Sequence, residues 1–274
     1  MKTRILLMIV SAFLAISSSA QTKSDQVNYL LELPKDLELD KGIQQKYLMT
    51  VNYIDFDMFG NFKKETQILG EYTNGLKDEK VKWNNVFISN RNSDEQGFYE
   101  SRKMNSMEDF SYVPSTKMLN PESFPVFSSN TTQLQNLVWD MMAFEVFAWE
   151  YFDSLKLNVE FVAKSANTEV DLAGSGTFEN KDIRLNWNGI SKINNEICAI
   201  IEYTAMNNPL MIKNDFIDIK GRSHYWGYVY VSLEDKQIEY AMMNEDVIME
   251  IKFPGQENAQ SANTIRKITL KKIQ

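Results

Sequence analysis

TTQLQNLVWDMMAFEVFAWEYFDSL, residues 131–155, is the stretch whose reading decides the fold. It contains neither Pro nor Gly and is filled with good helix formers, so it predicts one long, aromatic-rich helix over 131–155. Ser129, Asn130, Thr131 and Thr132 stand at its start, each with a side-chain oxygen suited to capping the first free backbone N–H groups. Leu134, Leu137, Val138, Met141, Phe144, Phe147, Trp149 and Phe152 spread apolar surface over most of its circumference. A helix that is apolar nearly all round must be covered on more than one side. It is a core helix clasped by sheet, a lid over an apolar ligand cavity, or a face that meets a partner. The charges of its second half, Asp140, Glu145, Glu150 and Asp153, are all acidic. At bilayer depth each costs about 2.5–3.5 kcal/mol, which argues against a membrane span.

On both sides of this helix the chain reads as strands and turns. Before it, 46–59 is rich in β-branched and aromatic residues, and Ile54, Phe56 and Met58 alternate with polar neighbours. Gly60-Asn61 and Asn74-Gly75 mark turns into strands over 62–73 and 81–89, and 98–104 reads as a further short strand. Residues 113–130 carry Pro114, Pro121 and Pro125 among Ser and Asn, an irregular connection into the helix. Asn130-Thr131-Thr132 matches a glycosylation sequon, but capping is the simpler role. After the helix, 157–166 alternates, 169–178 reads as one strand interrupted by Gly174 and Gly176, and Asn188-Gly189 reads as a turn. Strands follow over 196–206 and 264–273, with a long hairpin of 216–233 and 237–253 between them. Trp83-Asn84-Asn85 and Trp187-Asn188-Gly189 echo one another too faintly to be a repeat.

Residues 1–20 have the three parts of a secretory signal peptide. Lys2 and Arg4 give the charge, 5–16 the apolar run, and Ser18-Ser19-Ala20 the small residues before cleavage at Gln21. The apolar run is shorter than a membrane span needs. The remaining chain, 21–274, is read as a single β-rich domain, periplasmic or extracellular, with no transmembrane segment. A net charge of −8, more negative still without Lys2 and Arg4, argues against nucleic acid and anionic membrane surfaces as partners. Cys198 is the sole Cys and sits in an apolar run, which predicts a buried, inert thiol.

Little in the chain has the spacing of a known chemistry. His224 is the sole His, so sites needing two imidazoles are excluded, and no metal or cofactor is expected. Ser175 lacks the strand-to-helix context of a nucleophile elbow, and there is neither a P-loop nor a dinucleotide fingerprint. The acids are numerous enough that two converging carboxylates would allow glycoside hydrolysis. Asp55 and Asp57 share a strand face without the spacing of a calcium loop.

The hairpin offers the best candidate surface. His224, Trp226, Tyr228 and Tyr230 are spaced two apart and share one strand face. If 234–237 is a four-residue loop, Leu233 pairs with Ile238 and Val231 with Tyr240. The partner strand then adds Glu239 and Glu245 to the aromatic face. The face is either ordinary core packed under the helix or a wet cleft, and two glutamates without a cation in the hairpin would be costly to bury, which favours the cleft.

These features predict a mainly β fold, an antiparallel and strongly curved open sheet or half-barrel with the long helix packed on its concave side. The architecture is similar to that of periplasmic lipoprotein carriers, where a helix plugs a half-barrel, although no motif carries the likeness. Three functions fit. One is an exported non-catalytic binding protein for an apolar or amphiphilic ligand, with His224, Trp226, Tyr228, Tyr230, Glu239 and Glu245 as ligand-binding residues and a lipid, amphiphile or glycan as partner. The others are a glycan-acting hydrolase using paired carboxylates and a structural envelope protein. Cleavage after Ala20 is expected on export. The intact mass of protein recovered from the cell envelope or medium checks it, and a mass that retains residues 1–20 would contradict it.

Overall fold

The computed structural model describes residues 28–40, 42–98, 101–127, 129–172, 176–256 and 258–273. The expected signal peptide, Gly174 and Ser175 lie outside them. The first half of the chain forms a meander of three long strands, β1 (Gln45–Asp57), β2 (Phe62–Asn74) and β3 (Val81–Asn92). Two short strands, β4 (Arg102–Lys103) and β5 (Phe110–Tyr112), run along the free side of β3. Helix α1 (Thr131–Glu145) follows and continues over Val146–Glu150 as a wider π turn. The second half contributes β6 (Phe161–Val162), β7 (Thr168–Asp171), β8 (Gly176–Asn180), β9 (Arg184–Ile193), β10 (Glu196–Asn214), β11 (Ile217–Ser232), β12 (Ile238–Lys252) and β13 (Gln260–Ile273).

All of these strands lie in one antiparallel sheet, with spatial order β4-β3-β2-β1-β13-β12-β11-β10-β8-β7. β9 pairs with the first half of β10 and carries β6. The two meanders are joined where β1 pairs with β13 over twelve residue pairs, from Lys46↔Ile273 to Asp57↔Ala262. The sheet is open, and one 20-residue helix packs on it. Its curvature follows from what that helix touches. The Tyr72 hydroxyl on β2 donates to Glu145 Oε1 at 2.6 Å, and Phe147 stacks on Tyr203 of β10 with ring centroids 4.4 Å apart. β2 and β10 are five strand spacings apart, about 24 Å on a flat sheet, whereas a helix is about 10–12 Å across. The sheet therefore curls around the helix, whose apolar circumference it buries from Leu134 to Phe152.

Several local readings change. Gly60 and Gly75 take positive φ at turns, as expected, and a Cβ on Gly75 would lie 2.1 Å from the Ile43 carbonyl oxygen. Asn188-Gly189 is not a turn. It is a bulge inside β9, where the pairing slips between Ile200 and Ile201. Asn85, with φ 50°, marks a matching slip in β3. The two Trp-Asn pairs thus sit at bulges that bend outer strands over the core, with Trp83 and Trp187 both buried. The expected single strand at 169–178 is the β7–β8 hairpin, and 157–166 is mostly irregular. No side chain caps α1, because Asn130 enters in the left-handed conformation at φ 56° and its amide donates to Ser129 Oγ. The connection before it is tied down instead by Trp139, whose indole N–H donates to the Met118 carbonyl at 2.8 Å. Cys198 is free and buried, and burial pushes its thiol up to about 12.

The π turn sets Phe147, 1% exposed, between Tyr203 and Tyr225. Phe147→Ala is expected to lower stability by about 3–5 kcal/mol, as for a buried aromatic. Chemical denaturation checks this, and a midpoint equal to the parent's would place the helix outside the core.

Candidate functional site

A row of inward-facing side chains crosses the middle of the sheet. Thr66, Tyr53, Arg266, Glu245 and Tyr225 pair successively across β2, β1, β13, β12 and β11. Asp140 of α1 descends onto this row. The Arg266 guanidinium bonds Glu245 Oε2 through one terminal nitrogen and Asp140 Oδ2 through the other. Its carbon lies 4.9 Å from the centre of the Tyr53 ring, and Ser223 Oγ donates to the second oxygen of Glu245. The Asn136 amide of α1 donates to the Tyr53 hydroxyl at 3.2 Å. All three charged side chains are buried. Burial pushes the Asp140 carboxyl up to about 6, the nearby Glu245 charge pushes the same way, and Arg266 opposes both. Two carboxylates share one cation here, so the cluster carries a net negative charge whenever both are ionised.

This row is the inner end of a cleft of about 380 Å³ between α1 and the concave face. From Arg266 and Glu245 the cleft runs along the strands past Thr264, Val247 and Met249, and past Leu210 and Ile212 of β10. Val170, Leu172 and Phe178 of the β7–β8 hairpin form an apolar side wall. On the other side of the row the core is closed by the aromatic packing of Phe147, Tyr203 and Tyr225. That packing needs Gly227. The Tyr203 hydroxyl crosses it to reach the Met242 carbonyl at 2.7 Å, and a Cβ there would lie 1.9 Å from that same oxygen.

The residues singled out on the hairpin do not form one face. The strands leave register between Tyr230 and Val231, so Val231 pairs with Ile238 and Tyr230 with Tyr240. Glu239 is the additional residue, and its insertion reverses the expected pairing. Glu245 stands opposite Tyr225 on the inner face and lines the cleft. Glu239 is 1% exposed and is bound by Lys272 and by the Asn194 amide at 3.0 Å, away from the cleft. Trp226, Tyr228 and Tyr230 do share a face, but it is the outer one. There Trp226 is 42% exposed, the Tyr228 hydroxyl donates to Glu202 at 3.4 Å, and Tyr230 meets Tyr240 edge-on at 5.7 Å. His224, also outward, accepts the backbone N–H of Asn207 at Nδ1 at 3.3 Å, where β10 bulges. The cost of burying Glu245 is met by a cation that the hairpin lacks but the next strand supplies. Asp140 and Arg266 are the site residues that the sequence reading passed over. An acid at mid-helix on a largely apolar stretch is the available signal, since a buried carboxylate requires a partner. Among the described residues no cluster of His, Cys, Asp and Glu has the arrangement of a metal site, and no helix is long and apolar enough to cross a membrane.

The chain matches no protein-family model and none of the curated proteins. Among solved structures it is similar to lipovitellin, described for its lipid–protein interactions, at 11% identity and a TM-score of 0.44. That alignment covers 86% of this chain and 26% of lipovitellin, so the chain spans about a quarter of its length. A DUF1329 family protein from Desulfovibrio piger aligns over 84% of this chain and 86% of its own, at 9% identity and a TM-score of 0.15. Both fall below the level of a shared fold.

The shared cation makes opposite predictions for its partners. Arg266→Met leaves two buried carboxylates without a cation and is expected to cost about 3–5 kcal/mol at pH 8. Asp140→Asn leaves a one-to-one pair. Because the folded Asp140 carboxyl titrates near 6, above its usual 3.8, the folded protein holds the extra proton between those values. Stability from this group is therefore full below about pH 4 and falls as pH rises through 6, by roughly 2–3 kcal/mol. Asp140→Asn should match the parent near pH 4 and exceed it by that amount at pH 8. Denaturation midpoints across the range check it, and a variant weaker than the parent at pH 8 would reverse the assignment.

Proposed function

We propose that the chain is an exported, non-catalytic binding protein that holds one small amphiphile in the cleft between α1 and the concave sheet. The observation that carries this is the polarity of the cleft along its length. Its inner end is a buried ionic cluster, and towards the strand ends its walls are aliphatic on the side of β10, β12 and the β7–β8 hairpin, with Asp55, Lys64 and Thr264 on the side of β1, β2 and β13. A volume of about 380 Å³ lies near the lower end of the range of about 300–1,000 Å³ for small-molecule sites. It suits one acyl chain or a compact amphiphile rather than a lipid store. The excess of carboxylate over guanidinium at the inner end disfavours an anionic head and favours a hydroxyl, amide or amine. Hydrolysis by the paired acids Asp140 and Glu245 is the weaker alternative. Both Glu245 oxygens are occupied, by Ser223 and Arg266, and the same guanidinium holds Asp140. A carboxylate so engaged is a poor nucleophile or base.

Fatty alcohols, alkyl amines, fatty acids and oligosaccharides, each scored by thermal shift and native mass spectrometry, test the proposal. Alcohols and amines are expected to bind, and fatty acids to bind more weakly. Val247→Trp fills the cleft from β12 and is expected to abolish binding while the protein stays folded. Equal binding by parent and Val247→Trp would move the ligand elsewhere, including to the outer row of Trp226, Tyr228 and Tyr230. Turnover of an oligosaccharide would favour the hydrolase.

A further inference from the structure

The end of the sheet towards which the cleft runs is built unusually. Three consecutive hairpins turn there: β1–β2 through Met58 and Phe59, β12–β13 after Phe253, and β10–β11 through Phe216. Their adjacency follows from the strand order β2-β1-β13-β12-β11-β10. Hairpin turns ordinarily carry Gly, Asn, Asp, Pro or Ser. Two of the three turns add large apolar side chains to these residues and hold them out to solvent, with Phe59 79% exposed, Met58 64% and Phe216 81%, whereas the turn after Phe253 is the ordinary Pro254-Gly255-Gln256. Part of the backbone behind them is satisfied from within. Asp57 Oδ1 accepts the N–H groups of Phe59 and Asn61, each at 2.9 Å, and the Asp57 carbonyl accepts that of Gly60 at 3.0 Å. Asn214 Oδ1 accepts the N–H groups of Phe216 and Ile217 at 2.9 and 3.0 Å. With these N–H groups paired inside the turn, the exposed side chains beyond them enter an apolar phase at a lower desolvation cost.

We infer that this end of the sheet docks on a lipid surface, with Phe59 and Phe216 inserted below the headgroups. Charge on the strand ends fixes which kind of surface. Lys63 pairs with Asp57 at 3.2 Å, and Asp218 stands in register between Lys213 and Lys252. The signs alternate in these pairs, and among the described residues no cationic stripe faces outward. Such a rim fits a zwitterionic bilayer, held by apolar insertion, and not an anionic one held by attraction to Lys and Arg. The chain's overall net charge of −8 agrees. The cleft runs to this rim, so docking would present it to an amphiphile leaving or entering the membrane, although the docking itself does not require an occupied cleft.

Flotation of the purified protein with phosphatidylcholine vesicles, at low and high salt, tests this. The parent is expected to float with the vesicles equally at both salt concentrations. Changing Phe59→Asp and Phe216→Asp together should reduce partitioning about ten-fold or more, with an unchanged thermal midpoint because both side chains are exposed. The Val247→Trp variant should float like the parent, so that loss of ligand binding and loss of docking are separate results. The inference is overturned if the parent stays in solution, if the double variant floats as well as the parent, or if docking needs anionic lipid and disappears in salt. It is also overturned if gel filtration shows a dimer that the double variant abolishes while no form binds vesicles.

Discussion

A single guanidinium, taken out of water between the helix and the sheet, constrains the rest of the molecule. Arg266 comes from the last strand, Glu245 from its neighbour and Asp140 from the helix. An unpaired charge at this depth would cost several kcal/mol, and each wrong arrangement of the three elements leaves one unpaired. Rotating α1 by one residue would carry Asp140 about 100° away from the row, and sliding β12 against β13 by one residue would turn Glu245 outward. Apolar packing alone discriminates poorly here, because the helix is apolar nearly all round and would pack in several rotations. The ionic cluster therefore selects the rotation, and the aromatic packing of Phe147 and Tyr203 supplies the burial that stabilises it.

The architecture was legible because it rests on patterns that tertiary context reinforces. A 25-residue span free of Pro and Gly, flanked by alternating strands and Gly turns, has few solutions other than a helix against an antiparallel sheet. What failed to show was parity. In a strand the face of each side chain depends on every residue before it, so one inserted residue reverses everything beyond it. Glu239 is that residue. Lys236 takes a left-handed φ of 62° in the turn without a Gly to announce it, and Ser232 N–H closes the turn on the Gln237 carbonyl at 2.8 Å. The bulges after Trp83 and Trp187 escaped for the same reason, since Asn-Gly and Asn-Asn dipeptides mark a turn and a bulge alike.

The candidate site was harder to read than the fold because its members come from distant parts of the chain. Glu245 visibly requires a cation if it is buried, and the hairpin holds none on its face. Arg266 lies 21 residues on and Asp140 lies 126 before Arg266, separations over which sequence carries no pairing signal. The regular spacing of Trp226, Tyr228 and Tyr230 was a true statement about a shared face. It held no information about which side of the sheet that face takes, because an outer row covered by cross-strand neighbours such as Tyr240 and Glu202 has the same pattern as an inner one.

The cleft has a geometric origin that ties these points together. Asn136 and Asp140 fix the helix to the row through Tyr53 and Arg266. From Asn136 back to the start of α1 at Thr131 the helix advances about 8 Å, at about 1.5 Å per residue. From Tyr225 to the start of β11 at Ile217 the strand advances about 26 Å, at about 3.3 Å per residue. The strands therefore outrun the helix by roughly 18 Å on the side of the hairpin tips, and their inner aliphatic side chains have no helix above them. Leu210, Val247 and Met249 line the space that remains. In the opposite direction the helix continues through the π turn, and Phe147 fills the concavity. One anchored row thus divides the concave face into a half packed with aromatic rings and a half without helix above it.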